Sequence, residues 1–344
     1  MASKGTGLGQ GRSITRVGKI ALLLARPKRS LALAVGLTLA VASVGGATAA
    51  GPTRHAAGPD AASRPSIFMR IHGASHGAKP TRGKQLTYHG GIPGVVTGPD
   101  KVYLVYWGSQ WTNNDRSGEG AIQQSFFNGV GGSSWNNSVT QYCQAVATGT
   151  IFCNGAGTAA ANPTGVLGGV WNDNAAAAPS QPSQSQLAAE AVRAAAHFGN
   201  TASGSNNTVQ YVINTASGNN SSGFGTQYCA WHSSTSSTYG TIAYTNMPYI
   251  TDAGASCGAD FNGLGPTAGI TIVGGHEFAE TETDIFPNGG WLDGGGAENG
   301  DKCAWISSGQ GASATITLST GTFAVQSLWS NAANSGTGGC VLSY

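Results

Sequence analysis

Positive charge runs out early in this chain. Beyond Arg116 its basic side chains are Arg193 and Lys302 alone. A nucleic-acid surface needs several phosphate-neutralising cations on one face, and an anionic membrane makes a similar demand, so neither partner is expected. No CxxC pair occurs, which leaves a zinc knuckle or a dithiol redox site without its usual spacing. There is no glycine-rich dinucleotide or phosphate-loop signature, no internal repeat and no elbow motif around a serine nucleophile. The apolar run LALAVGLTLAVASV, residues 31–44, falls short of the roughly 20 residues that a membrane span wants.

That run has a different use. Seven positive charges and no negative one precede it within the first 30 residues, and small residues lead from it to Ala47-Thr48-Ala49. This is the layout of a secretory signal, so residues 1–50 are expected to be removed and the protein to be secreted, with no membrane attachment after cleavage. Seven of the 17 Lys+Arg go with the signal, leaving ten against all 15 acids and a net charge of about −5. All six cysteines (143, 153, 229, 257, 303 and 340) lie in the remainder. An even set in an exported chain reads as disulfides, nearest-neighbour pairing being one of fifteen connectivities.

The 54 glycines and sparse charge predict a loop-rich fold with weakly charged surfaces. Residues 51–97 are expected to be a flexible N-terminal arm or pro-segment, and 98–344 a single large domain. KVYLVYWG, 101–108, is the clearest strand. A helix follows within 118–131, the region 154–184 is expected to be mostly loop, and 183–200 forms an amphipathic helix ending at Gly199. Strands are expected at 207–215 and 239–247, and a closing hairpin at 312–330. The mixture lacks a regular βαβ beat, which favours α+β over a doubly wound sheet.

Acid is scarce but concentrated. Seven of the 15 acidic residues lie between Glu277 and Asp301, including four of the six glutamates. They sit in or just after a helix expected to start near Pro266 and run to Asp284, in which the Gly274-Gly275 pair implies a close neighbour. On that helix His276 and Glu280 share a face, while Glu277 lies one residue round. The pattern is HExxE, the zinc-peptidase HExxH with its second histidine replaced. Such a string alone is often solvated helix charge. Here apolar flanks imply burial, and burying carboxylates without cations is costly, so a metal is expected. Zinc accepts one imidazole and carboxylates, and calcium is the rival because oxygens are so numerous. Glu298 is the first choice for a further ligand and Asp301 the second. Glu277 is the candidate general base. His232, beside Cys229, is a candidate ligand or transition-state hydrogen-bond donor, set against a packed structural histidine.

Three segments together resemble a known family. They are GPDKVYLVYWGSQW (98–111), VQYVINTASGNNSSGFGTQYCAWHS (209–233), and GGHEFAETETD with GGWLDGGGAENGDKCAW (274–305). They are similar to the phosphate-induced, EXORDIUM-like secreted proteins of plants and related bacterial exported proteins. The resemblance implies that His276, Glu277, Glu280, Glu298 and Asp301 belong together, with His232 as a neighbour. The family's further cysteine ahead of the cysteine-x-x-histidine segment is missing, so no disulfide pairing carries over.

The expectation is therefore an α+β, zincin-like, disulfide-bonded domain with a mixed sheet and a metal-binding helix. Its function would be a secreted zinc-dependent hydrolase, foremost a metallopeptidase acting on peptide or protein. Cell-wall polysaccharide is a second possible contact. The alternative is a non-catalytic extracellular or cell-wall-associated protein with a structural metal, whose exposed Trp and Tyr bind carbohydrate or protein.

Overall fold

KVYLVYW carries two apolar faces: Val102, Leu104 and Tyr106 fall on one side of an extended chain, Tyr103, Val105 and Trp107 on the other. The computed structural model, which describes residues 67–72, 85–287 and 289–344, uses both. The expected signal segment lies outside the described residues, as do 51–66 and 73–84 of the expected arm. The strand, Lys101–Trp107, belongs to a six-stranded mixed sheet.

We label the sheet strands β1 (Ile67–Arg70), β2 (Lys101–Trp107), β3 (Leu167–Asp173), β4 (Val209–Thr215), β5 (Tyr228–Ser237) and β6 (Gly240–Met247). Their spatial order is β1-β5-β6-β4-β2-β3. β6, β4, β2 and β3 form a parallel run, β5 is antiparallel to β6, and β1 is antiparallel to β5. The architecture is α+β with a mixed sheet. Two elements depart from the expectation. β3 lies inside 154–184, where mostly loop was expected; Gly168 and Gly169 hide it from propensity, and the packing of Tyr103 and Phe198 against them explains their small size. β5 was not anticipated either, because the serines and threonines of YCAWHSSTSS mask a strand buried over its first eight residues.

Helices α1 (Glu119–Val130), α2 (Gln184–His197) and α3 (Ala268–Thr283) cover the two faces. Val102, Leu104, Tyr106, Val212 and Ala230 share a core with Phe126, Phe127 and Val130 of α1 and with Ile272, Val273 and Phe278 of α3. Across the sheet, Val105, Tyr211, Ile213 and Tyr244 pack on Leu187, Ala191, Ala194 and Ala195 of α2. α2 opens on a capping box between Ser183 and Gln186, and Gly199 follows it at φ +77°. A hairpin of β7 (Ala314–Leu318) and β8 (Gly321–Val325) closes over α1 and α3.

The cysteines pair as neighbours: Cys143–Cys153, Cys229–Cys257 and Cys303–Cys340. Among the described residues no helix is long and apolar enough to cross a membrane.

One buried acid pair belongs to the fold. Asp100, just ahead of β2, is 3% exposed and hydrogen-bonds the equally buried Glu282 of α3, whose Oε1 also accepts from Asn136 Nδ2 at 3.0 Å. Burial pushes the Asp100 carboxyl up to about 7, against the hydrogen bond from Glu282 and the nearby charge of Lys101. Burial, then the Asp100 charge, holds Glu282 well above the carboxylate range. The unfolded chain titrates an aspartate near 4. The folded state therefore binds more protons, and stability should fall as pH rises from about 4 through about 7. Asp100→Asn should flatten that slope by a few kcal/mol in denaturant titrations across the interval. Parallel wild-type and variant curves would refute the shared proton.

Candidate metal centre

α3 begins at Ala268, two residues after Pro266, and all sixteen of its residues are buried. A helix buried all round cannot rest its charges in water. Its glycines mark close approaches: a β-carbon on Gly269 would collide with the Cys257 carbonyl oxygen, and one on Gly275 would lie 3.2 Å from the rings of Phe126 and Trp135. Gly274 makes only ordinary contact with Met247.

His276, Glu277 and Glu280 point from this helix toward β5 and toward the loop that follows Trp291 and Leu292. That loop is shaped by Asp293, which accepts the amides of Gly295 and Ala297 at 2.8 and 3.0 Å and Lys302 Nζ at 2.9 Å. Asn299 Nδ2 bonds the Ala279 carbonyl at 3.0 Å and ties the loop to α3. Glu298 and Asp301 are thereby turned onto the helix, with the Asp301 amide donating to Glu280 Oε1 at 2.9 Å. Gly300 leaves no room for a β-carbon, which would lie 2.8 Å from His276 Nδ1 and 2.9 Å from Glu280 Oε1. Disulfides pin both flanks, Cys229 three residues before His232 and Cys303 two after Asp301.

All six singled-out residues come together. His276 Nε2 is 2.9 Å from Glu280 Oε1 and 3.9 Å from Asp301 Oδ1. His232 Nδ1 lies 3.4 Å from Glu277 Oε2 and 3.7 Å from Glu280 Oε2, and its Nε2 lies 3.3 Å from Glu298 Oε2. Two trios, His276–Glu280–Asp301 and His232–Glu277–Glu280, each hold ligand atoms within 4.8 Å of one another and share Glu280. Glu298 faces His232. The acids left aside also have places: Glu282 joins Asp100, and Asp284 Oδ1 accepts the Gly289 amide at 3.1 Å.

Two features make the donor set fit a cation. The first is deprivation. Eight side-chain nitrogen and oxygen atoms of His232, His276, Glu277, Glu280 and Glu298 are buried without a hydrogen-bond partner, where native interiors leave few such groups. The contacts of His232 with its carboxylates are close enough for ion pairing yet too long or poorly angled to be hydrogen bonds. Lys302, the nearby basic residue, is engaged with Asp293 and lies over the Trp329 ring at 4.4 Å.

The second is a tautomer. Gln326 is fully buried, its Nε2 donating to the Gly300 carbonyl at 2.8 Å, which turns its Oε1 to His276 Nδ1 at 3.1 Å. Nδ1 must then be the donor, and the Nε2 of a neutral ring presents a lone pair to Glu280 and Asp301. A lone pair facing carboxylate oxygens needs a proton or a cation between them. Fixing the distal imidazole nitrogen is how proteins orient a metal-binding histidine. Gln326 carried no signal in the sequence; only the return of the chain after β8 brings it here.

Protons can fill the role only at a cost visible in the electrostatics. Burial opposes a charged His276, but Glu280, Glu277 and Asp301 outweigh it and push the imidazole up to about 10. Burial, and then Glu280, raises Glu298 and Asp301 well above the carboxylate range. Glu280 is held below it, its burial outweighed by His276 and His232. The group is closed to solvent: His276, Glu280 and Glu298 are fully buried, His232 and Glu277 are 2% and 1% exposed, and the Asp301 side chain at 18% is the most open.

No protein-family model matches the chain, and no curated protein or solved structure matches it.

Proposed function

We propose that this is an exported metal-dependent hydrolase, foremost a zinc metallopeptidase, with a zincin-like arrangement of helix and sheet. The observation that carries it is the His276 Nε2 lone pair aimed at Glu280 and Asp301 in a buried cluster served, among the described residues, by no free lysine or arginine. His276, Glu280 and Asp301 would hold the ion. The imidazole among these donors favours zinc over calcium, which prefers a shell of six to eight oxygens. A bound divalent ion supplies Lewis acidity toward a substrate carbonyl and toward water.

The chain's own part is proton handling. Glu277 lies beside the ligand trio with both carboxylate oxygens unpartnered. Burial raises its pKa against the pull of His232 and His276, which suits a group that takes a proton from water and returns it to a leaving amine. His232, 3.4 Å away, can steady that carboxylate or donate to developing negative charge on the substrate. Glu298 faces the other ring nitrogen at 3.3 Å.

The scaffold alternative loses part of its motivation. Six of the eight tryptophans are buried, leaving Trp171 and Trp305 half-exposed. Export is the compartment in which three disulfides persist, and kinship with the EXORDIUM-like proteins remains the proposal the three shared segments suggest.

Screening the purified protein against peptide and polysaccharide libraries tests the reading. Peptide cleavage should stop with a chelator and return with zinc. A protein carrying stoichiometric metal that cleaves neither library would sink the hydrolase and leave the scaffold.

A further inference from the structure

The strand that carries His232 has a lodger. β5 pairs with β6 on one side and with β1 on the other, in the register Ile67–His232, Phe68–Trp231 and Met69–Ala230, with a register shift before Arg70–Tyr228. β1 is four residues long against ten for β5, and ends the sheet. It is also the strand out of chain order. β2 to β6 come from 101–247, whereas β1 arrives from the N-terminal side, with residues 73–84 between it and the rest.

Specific contacts fasten it beyond the ladder. Met69 is fully buried in the core shared by Ala230 and α3. Trp305 Nε1 donates to the Arg70 carbonyl at 2.6 Å, and the His72 amide donates to Ser256 at 2.8 Å. The His72 ring lies 5.1 Å from Phe261 and 5.9 Å from Trp305.

A hydrolytic site closed to this degree needs something to move before a substrate carbonyl can approach Glu277. The backbone of β1 is paired directly alongside His232. An antiparallel ladder recognises any extended main chain, and alternate side chains supply selectivity. We propose that β1 occupies the place of an extended peptide ligand: β5 is a peptide-binding edge, its ligand runs antiparallel to it past His232, and an apolar side chain fills the pocket now held by Met69. β1 is then an internal competitor that keeps the site shut until it is displaced. The fate of the bound peptide rests on the hydrolase reading; its binding does not.

The test uses the full chain with a specific protease recognition sequence inserted between Gly77 and Ala78, cut after folding. A fluorescent peptide of the Ser66–His72 sequence is followed by anisotropy with EDTA present, so that binding is separated from cleavage. The cut protein should take up the peptide and the uncut protein should not. A peptide with Met69→Asp should bind at least tenfold more weakly. The uncut Met69→Asp protein, its own strand unseated, should bind the unmodified peptide. Cut protein that keeps its near-ultraviolet circular dichroism yet takes up no peptide, or that takes up both peptides equally, overturns the proposal. So does loss of fold in both the cut chain and the Met69→Asp chain, which would make β1 a structural strand. Peptide uptake without cleavage after zinc is restored would instead count against the hydrolase alone.

Discussion

Glu277→Gln should leave the metal content and melting temperature near those of the wild type while cutting turnover by roughly 10²–10⁴-fold, the usual share of general acid–base catalysis. The side chain is 1% exposed, and it adjoins the His276–Glu280–Asp301 trio from one residue round the helix. Glutamine keeps its volume and planarity and removes its basicity. A structural metal site has no use for such a carboxylate; hydrolysis does, since water must lose a proton as it attacks. Because Glu277 could also ligate with His232 and Glu280, the metal measurement matters as much as the rate. If the variant loses its metal, Glu277 is a ligand and the base must be sought elsewhere, with Glu298 the next carboxylate. Undiminished chelator-sensitive cleavage in a metal-loaded variant would remove Glu277 from the chemistry altogether.

His276→Ala should abolish stoichiometric metal binding and, with it, the difference in stability between metal-loaded and chelator-treated protein. Saturation at a hundredfold excess over Kd contributes about 2.7 kcal/mol to a native state that alone binds the ion. For a domain of this size that is roughly 5–10 °C in melting temperature. The variant also strands Gln326 Oε1 and Glu280 in the interior, each worth about 1–3 kcal/mol as an unsatisfied group. A lower melting temperature alone therefore decides nothing. Calorimetric scans with zinc and with EDTA decide it: superimposable scans for the variant and separated ones for the wild type are expected. Variant scans that remain separated would move the ion off His276.

Much of the scaffold was legible because its signals are local. The aromatic and β-branched run KVYLVYW, the apolar stripe from Leu187 to Ala195 and the Gly199 stop each act within a few residues. β3 and β5 were missed because their stability comes from neighbours: Gly168 and Gly169 make room for Tyr103 and Phe198, and the serines of β5 are paired along β6. At the site, helical spacing placed His276, Glu277 and Glu280 together, and the scarcity of acid elsewhere drew attention to Glu298 and Asp301. Their division of labour was not readable. Which carboxylate faces which imidazole depends on the turn that Asp293 builds and on a glutamine 50 residues beyond His276. The helix proved wholly buried, because β7 and β8 come from residues that carry no mark of what they cover.

The bridges at Cys229 and Cys303 bear on when, and where, the protein becomes competent. They close chain separations of 28 and 37 residues, each worth on the order of 3–4 kcal/mol of loop entropy. His232 and Asp301 sit within three residues of those closures. A newly made chain with reduced thiols would possess every donor atom but lack the constraint that brings a strand and a loop onto one helix. In the cytosol, where thiols stay reduced, such a chain would be a poor chelator and a harmless one. On the proposed reading of an exported hydrolase, oxidation after export would convert a set of scattered side chains into a working site, and the producing cell would be shielded from the activity by its own redox state.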